Sequence, residues 1–280
     1  MSVSGEFISV AGTKLQLSNG YLVHFDQLAR LLDAVCRDER SKISRKDLET
    51  AVGLANRKVE NLCSIAQGLG LLQPITYRAT PLGEVVQRHD PFFDDLGTLW
   101  FLHYAVSSEP RFMIWNHFAN QVVPRRRSFT RAELADECAV LAEGHSRYTL
   151  QNHVRNEAKS VLDAYTTQSF SRLAYLREDG NGYMPDYREP VPPLVLAAAI
   201  VRFRDRHRPG DTGVNVADLL AAPNSPGVVF QLTEDRFRTA LEQLKTEPGL
   251  SVESRADLDQ VRLTDGTPDS TWIERYYARR

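Results

Sequence analysis

The stretch SRKDLETAVGLANRKVENLCSIAQGLGLLQPITYRAT, residues 44–80, decides how the first part of the chain folds. Ser44 offers a hydroxyl to cap a helix, with Asp47 three residues later and Leu48, Ala51 and Val52 facing inward. Gly53 breaks that helix. From Asn56 to Gln67, the residues Val59, Leu62, Cys63 and Ala66 recur at helical spacing, and Gly68-Leu69-Gly70 ends the run. Leu71-Leu72 and the β-prone Ile75-Thr76-Tyr77-Arg78-Ala79 then predict a short hairpin. Thr80-Pro81 opens a further helix, with threonine as cap and proline in its first position. Upstream, residues 23–38 place Leu28, Leu31, Leu32 and Val35 on one stripe of an amphipathic helix.

Helix, short helix, turn, helix and hairpin is the order of a winged helix-turn-helix, and it assigns residues 1–88 to such a unit. In that motif the third helix enters the major groove, where donors meet phosphates and base edges. Arg57, Asn61 and Ser64 fall on one face, with Lys58 beside them and Arg78 at the tip of the wing, and these are the expected DNA contacts. The alternative is a protein-binding winged helix in which Arg57 and Lys58 are a solvated helix start.

Residues 89–190 read as a helical central domain rich in aromatic residues. DPFFDD (90–95) is a turn with two possible helix caps, followed by helices over 97–106 and 112–122. Trp100, Phe101, Tyr104, Phe112, Trp115 and Phe118 recur at helical spacing and predict core. Arg125, Arg126 and Arg127 follow Pro124 in a loop, either as a grip on phosphates or as a solvated charge run. Thr130, with Glu133 three residues on, caps a helix through 141, and a long helix spans 149–164. Residues 170–183, with Asp179-Gly180-Asn181-Gly182 as their turn, read as short strands or a helix-to-hairpin connection. Prolines 185, 190, 192 and 193 mark a boundary.

The remainder, 191–280, repeats the first pattern as a winged-helix-like C-terminal unit: helices at 193–206, 214–221 and 233–245, then a wing from 250–253 and 260–263. Its exposed arginines, Arg236, Arg238 and Arg255, are mixed with acids, so it either contacts DNA or serves dimerisation or packing. The whole reads as mainly α.

Composition narrows the class. The 280 residues carry 34 Lys+Arg against 36 Asp+Glu, a formal charge of −2, so no polybasic coat exists, although a local basic face is compatible with that total. Hydrophobic residues at 42%, with 14 prolines and 16 glycines, exclude a disordered or collagenous chain. Cys36, Cys63 and Cys138 are odd in number and lack Cys-x-x-Cys spacing, which predicts reduced core thiols. MSVSGEFISV has no basic segment followed by an apolar one, and the apolar run 191–201 is about half of a membrane span. A cytoplasmic protein without membrane contact is expected.

The blocks TPLGEVVQRHDPFFDDLGTLWFLHY (80–104), IWNHFANQ (114–121), SPGVVFQLTEDRFRTALEQL (225–244) and LDQVRL (258–263) resemble a bacterial family of domains of unknown function. Genes of that family sit beside sulfurtransferase-like genes of the phosphoadenosine phosphosulfate reductase type, and its best-described members nick DNA in Ssp phosphorothioation systems. The resemblance covers residues 80–265, while the opening GEFISVAGTKLQLSNGYLVHF (5–25) departs from the aromatic Gly-His start of many relatives. It implies double-stranded DNA as substrate and a cysteine desulfurase, an ATPase and a sulfurtransferase-like protein as partners. A homodimer is compatible with it. The implied activity is that of a DNA nickase; a non-catalytic DNA-binding regulator or adaptor of the same system is the alternative.

Nicking requires a nucleophile in line with a phosphate and stabilisation of the leaving oxygen, usually by carboxylate-held Mg²⁺ or Mn²⁺. The densest acid and histidine cluster is His89, Asp90, Asp94 and Asp95, followed by His103 and His117. These six are the catalytic candidates, with Asp90, Asp94 and Asp95 as metal ligands. Helix caps and core histidines are the competing reading. Glu157-Ala158-Lys159 matches the tail of a PD-(D/E)xK pattern only in letters, because it falls within a helix. No Walker loop, dinucleotide fingerprint or zinc-spaced cysteine set occurs, so no nucleotide cofactor is expected.

Overall fold

Apolar spacing and caps produce the N-terminal helices where the sequence places them. In the computed structural model, which describes residues 15–17, 23–142, 146, 148–255, 258–263 and 266–280, α1 (Phe25–Arg37) buries Phe25, Leu28, Leu31, Leu32 and Val35. The segments 1–14 and 18–22, on which the reading of a leader and of the unusual opening mostly rests, lie outside those residues. Ser44 and Asp47 form a reciprocal capping box on α2 (Arg45–Val52), and Gly53 ends it at φ 67°. Next comes α3 (Asn56–Gly68).

The expected hairpin after α3 is a correction. Its ladder is reduced to one bridge, Leu72 opposite Ala79, closed by Gln73 N–H donating to the Arg78 carbonyl (2.8 Å). Pro74 has no N–H to give and Tyr77 sits at φ 54°, so the six residues between form a turn rather than strands. Thr80 caps α4 (Pro81–His89) through the Gly83 N–H (3.0 Å). A Cβ at Gly83 would stand 2.3 Å from the Leu71 carbonyl oxygen, so only glycine lets this helix lie on that backbone.

The centre of the molecule is α5 (Leu96–Ser107), buried from Gly97 to its end. A helix apolar all round belongs inside a protein. α6 (Met113–His117) runs into a π-helical turn, Phe118–Val122. α7 (Arg131–Ala139) starts at the Thr130–Glu133 capping box and ends in a 3-10 turn, Val140–Ala142. A second π-helical turn, Thr149–Val154, leads into α8 (Arg155–Thr166), so the long helix expected there is wound differently in its first part. A hairpin of β1 (Leu176–Asp179) and β2 (Gly182–Pro185) follows, turning at the expected glycines. Tyr165, Phe170, Trp115, Phe118, His103 and Tyr175 pack ring against ring, which makes the aromatic run core, as its spacing predicts.

α9 (Pro193–His207) opens the C-terminal part. Then come β3 (Gly213–Asn215), α10 (Val216–Ala221), α11 (Pro226–Val229), α12 (Glu234–Leu244), β4 (Leu250–Arg255) and β5 (Leu258–Leu263). The three strands form an antiparallel sheet in the order β3-β5-β4, with Val261 opposite both Val214 and Val252. Two helices were not expected: the short α11, which Ser225 caps through the Val228 N–H, and α13 (Asp269–Tyr277), which buries Trp272 and Ile273 and packs on both α9 and α4. Asp269 pairs with Arg202 of α9 at 2.6 Å, and this last helix ties the C-terminal part to the N-terminal one. The architecture is mainly helical with two small sheets. Among the described residues, no helix is long and apolar enough to cross a membrane. All three cysteines are free, and burial pushes the Cys63 and Cys138 thiols up to about 12.

Candidate functional site

The acid cluster expected to hold a metal is built as a loop and a helix start. Asp90 is buried, and its two carboxylate oxygens accept the backbone N–H groups of Asp94 (2.7 Å) and Asp95 (3.0 Å). Asp95 caps α5 by accepting from the N–H groups of Gly97 (2.7 Å) and Thr98 (3.1 Å), and its second oxygen pairs with Arg280. Asp94 points outward, 3.5 Å from Arg172. His89 stacks on Tyr277 (4.9 Å between centroids) beside Glu274, itself paired with Arg88 at 2.6 Å. With their oxygens engaged by backbone and arginine, these carboxylates do not form the open oxygen cage a hard cation requires. Among the described residues, no group of three or more His, Cys, Asp or Glu is placed to hold a metal ion.

His103 is fully buried. Its Nε2–H donates to the Val229 carbonyl (3.1 Å), leaving Nδ1 to accept from the Tyr165 hydroxyl. Burial lowers its pKa to about 4, so it is a neutral core residue. Glu157, in the chance nuclease match, is likewise interior and accepts from Trp115 Nε1 and Leu17 N, each at 2.9 Å.

The expected DNA-contact face divides. Arg57 and Lys58 are exposed on the first turn of α3, which projects past the core; Asn61 on the next turn is buried and Ser64 half-buried. Arg78 is not at the tip of the turn, because its guanidinium folds back onto the Asp38 carbonyl at the end of α1. The exposed tip is Ile75. On α12, Arg238 is paired with Glu234 and Asp259 (2.8 Å each), and Arg236 donates to the Tyr187 carbonyl (3.0 Å).

What tertiary structure does assemble is a cavity of about 420 Å³ lined by His117, Gln121, Arg125, Arg126, Glu137 and Val140. The π-helical turn makes it. Val123 N–H reaches back five residues to the Phe118 carbonyl (3.0 Å), and Arg125 and Arg126 then close a turn on the Val122 carbonyl (3.2 and 3.0 Å). This wider winding, a feature frequent at functional sites, sets His117 and Gln121 beside the two arginines. α7 closes the opposite wall with Glu137, which pairs with Arg126. Arg127 is exposed outside the lining. Burial holds the His117 imidazole below its usual range; the Glu137 charge opposes that shift, and Arg125 adds to it. A neutral imidazole beside two guanidinium groups can seat a phosphate and take a proton from water. The sequence marks His117 and the arginines separately, but Glu137 carries no signal; Gln121 stands four residues after His117, and that interval was its only clue.

Residues 28–277 match the model of a family described as protein of unknown function, DUF4007. Two solved structures share the fold. Magnesium ion-bound SspB superposes with a TM-score of 0.72 at 14% identity, over 96% of each chain. A second SspB crystal structure gives 0.75 at 14% identity, over 95% of this chain and 89% of that one. No curated protein matches. Since the match runs from α1 to the end of α13, the chain belongs to the DUF4007 family.

Proposed function

We propose that this protein binds and nicks double-stranded DNA as a component of a DNA phosphorothioation system. The cavity of His117, Arg125 and Arg126 carries the reading, since it joins a proton acceptor to two phosphate-binding groups at one solvent-open place. His117 draws a proton from the attacking water as it bonds to phosphorus, Arg125 and Arg126 offset charge on the phosphate oxygens, and the P–O bond to the strand breaks with its leaving oxygen taking a proton from solvent. The C-terminal order α9-β3-α10-α11-α12-β4-β5, with sheet order β3-β5-β4, supports reading residues 191–280 as winged-helix-like, and α1 to α3 with their bridged turn support the same reading of the N-terminal part. In this reading residues 1–88 and 191–280 hold the duplex, Arg57 and Lys58 neutralise phosphates, and residues 89–190 carry the chemistry. The cysteine desulfurase, ATPase and sulfurtransferase-like proteins of the same system are the partners.

One SspB structure is magnesium-bound, which supports testing Mg²⁺ and Mn²⁺ here. The cavity offers a single carboxylate, Glu137, already paired with Arg126, so the roles given to His117 and the arginines do not include metal ligation. A second reading, a non-catalytic adaptor, is favoured by the engagement of Asp90 and Asp95 in caps.

Purified protein incubated with supercoiled plasmid and Mg²⁺ or Mn²⁺, with and without chelator, tests both. Nicking should fall by about 10² or more in His117→Gln, the usual size of a general-base contribution, and in the double variant Arg125→Ala, Arg126→Ala. Retardation of duplex without nicking selects the adaptor. Nicking at the wild-type rate by His117→Gln rejects this site.

A further inference from the structure

The cavity beside His117 holds more than the groups that grip a phosphate. Its lining carries two cations, Arg125 and Arg126, and one anion, Glu137. Burial keeps His117 uncharged at neutral pH, so these three leave the lining with one net positive charge. Glu137 stands on α7, opposite the turn that bears the arginines, and its carboxylate engages the Arg126 guanidinium. An entering anion therefore shares Arg126 with an anion already in place. Glu133, whose charge also meets Arg126, is held in the Thr130 capping box and does not line the cavity. Val140, 59% exposed in the 3-10 turn after α7, adds an apolar wall. A valine there offers nothing to a free phosphate oxygen, but it suits the carbon of an esterified one.

We propose that Glu137 makes this cavity selective for an internal phosphodiester over a terminal phosphate, an inference that rests on the phosphate-site reading given above. Attraction between an anion and the lining grows in proportion to the anion's charge, whereas the cost of taking it out of water grows with the square of that charge. A lining of one net positive charge matches a diester, which carries a single negative charge. A terminal monoester carries about 1.5–2 charges at neutral pH, because its second pKa is about 6, and the excess meets Glu137. Hydrolysis of a diester adds water to phosphorus, breaks one P–O bond and leaves a hydroxyl end and a monoester end. The end that keeps the phosphate gains negative charge, and Glu137 drives it from the cavity. The same repulsion disfavours trimming from strand ends.

Titration of the full chain with dimethyl phosphate and with methyl phosphate tests it, followed by nuclear magnetic resonance at the His117 ring, without added metal and at about pH 8, where the monoester is doubly charged. The wild type should bind dimethyl phosphate at least as tightly as methyl phosphate. Glu137→Gln keeps the size of the side chain and removes its charge; it should tighten methyl phosphate about tenfold and dimethyl phosphate only about threefold, because the same lost repulsion acts on half the charge. Glu137→Ala repeats the charge removal should Glu137→Gln melt early. Asp136→Asn, one residue away on α7 and exposed, makes the same change of overall charge outside the lining and should leave both affinities as they are. The inference is overturned if methyl phosphate binds the wild type more tightly, if removing the Glu137 charge leaves the ratio of the two affinities unchanged, or if Asp136→Asn shifts that ratio as far. Each of those results, with dimethyl phosphate still bound, leaves the phosphate reading of the cavity standing. If neither ester moves the His117 resonance, that reading falls together with this inference.

Discussion

Asp90→Ala is the sharpest test of the statement that the acid cluster is a structural knot. The variant removes two acceptors at a buried position and leaves the N–H groups of Asp94 and Asp95 without partners. A hydrogen bond to a charged group contributes about 1.5–3 kcal/mol, so the two together amount to roughly 3–5 kcal/mol after some readmission of water. For a chain of this size each kcal/mol moves the melting temperature by about 2–4 °C, giving a fall of about 6–20 °C. Asp90→Asn keeps one carbonyl acceptor and should show about half of that loss. Asp94→Asn, whose side chain is 80% exposed, should fall within about 0.5 kcal/mol of the wild type, as surface changes generally do. Circular dichroism melts of the three variants, compared at one pH without added metal, decide the matter. The reasoning is refuted if Asp90→Ala melts with the wild type, or if Asp94→Asn falls as far as Asp90→Asn.

Two further outcomes follow from the same geometry. His103 is held neutral to about pH 4, whereas its ordinary value is 6.5, so between those values the unfolded chain takes up a proton that the folded chain refuses; stability should be complete above pH 6.5 and fall by about 3 kcal/mol towards pH 4. Denaturant titrations across that window should show a smaller slope in His103→Gln, and an identical slope would mean that His103 is not the group responsible. For the proposed DNA interface, replacing Arg57 and Lys58 by alanine should lower the slope of log affinity against log salt by up to about 2, one phosphate per lost charge, and a duplex-binding assay with an unchanged slope would remove α3 from the interface.

Much of the local structure is legible in the sequence because its causes are local. Ser44 with Asp47 and Thr130 with Glu133 form the capping boxes their spacing announces, and the i, i+3, i+4 stripe of residues 28–35 faces the core it predicts. The aromatic run of α5 and α6 belongs to the interior for the same reason: large rings at helical spacing have nowhere else to go. Local spacing also misleads where burial decides. Arg57, Asn61 and Ser64 share a face by arithmetic, yet the core covers that face one turn after it begins. DPFFDD offers three carboxylates in six residues, the same composition a cation site or a capped loop would have, and only the positions of the Asp94, Asp95, Gly97 and Thr98 N–H groups and of Arg280 separate the two.

By itself, then, the sequence determined the helical class, the caps, the identity of the core and the residue types from which a phosphate site could be made. Tertiary structure decided which of them meet. His117 and Glu137 are twenty residues apart, and they face each other because a π-helical turn rewinds the chain before Arg125 and because α7 folds back across it. Neither event has a periodic signature, since an extra residue in one turn changes no composition and a helix-to-helix contact is fixed by the packing of both partners at once. The same holds for α13, which is short, amphipathic and isolated in sequence, and which earns its place only by covering α4 and α9 together.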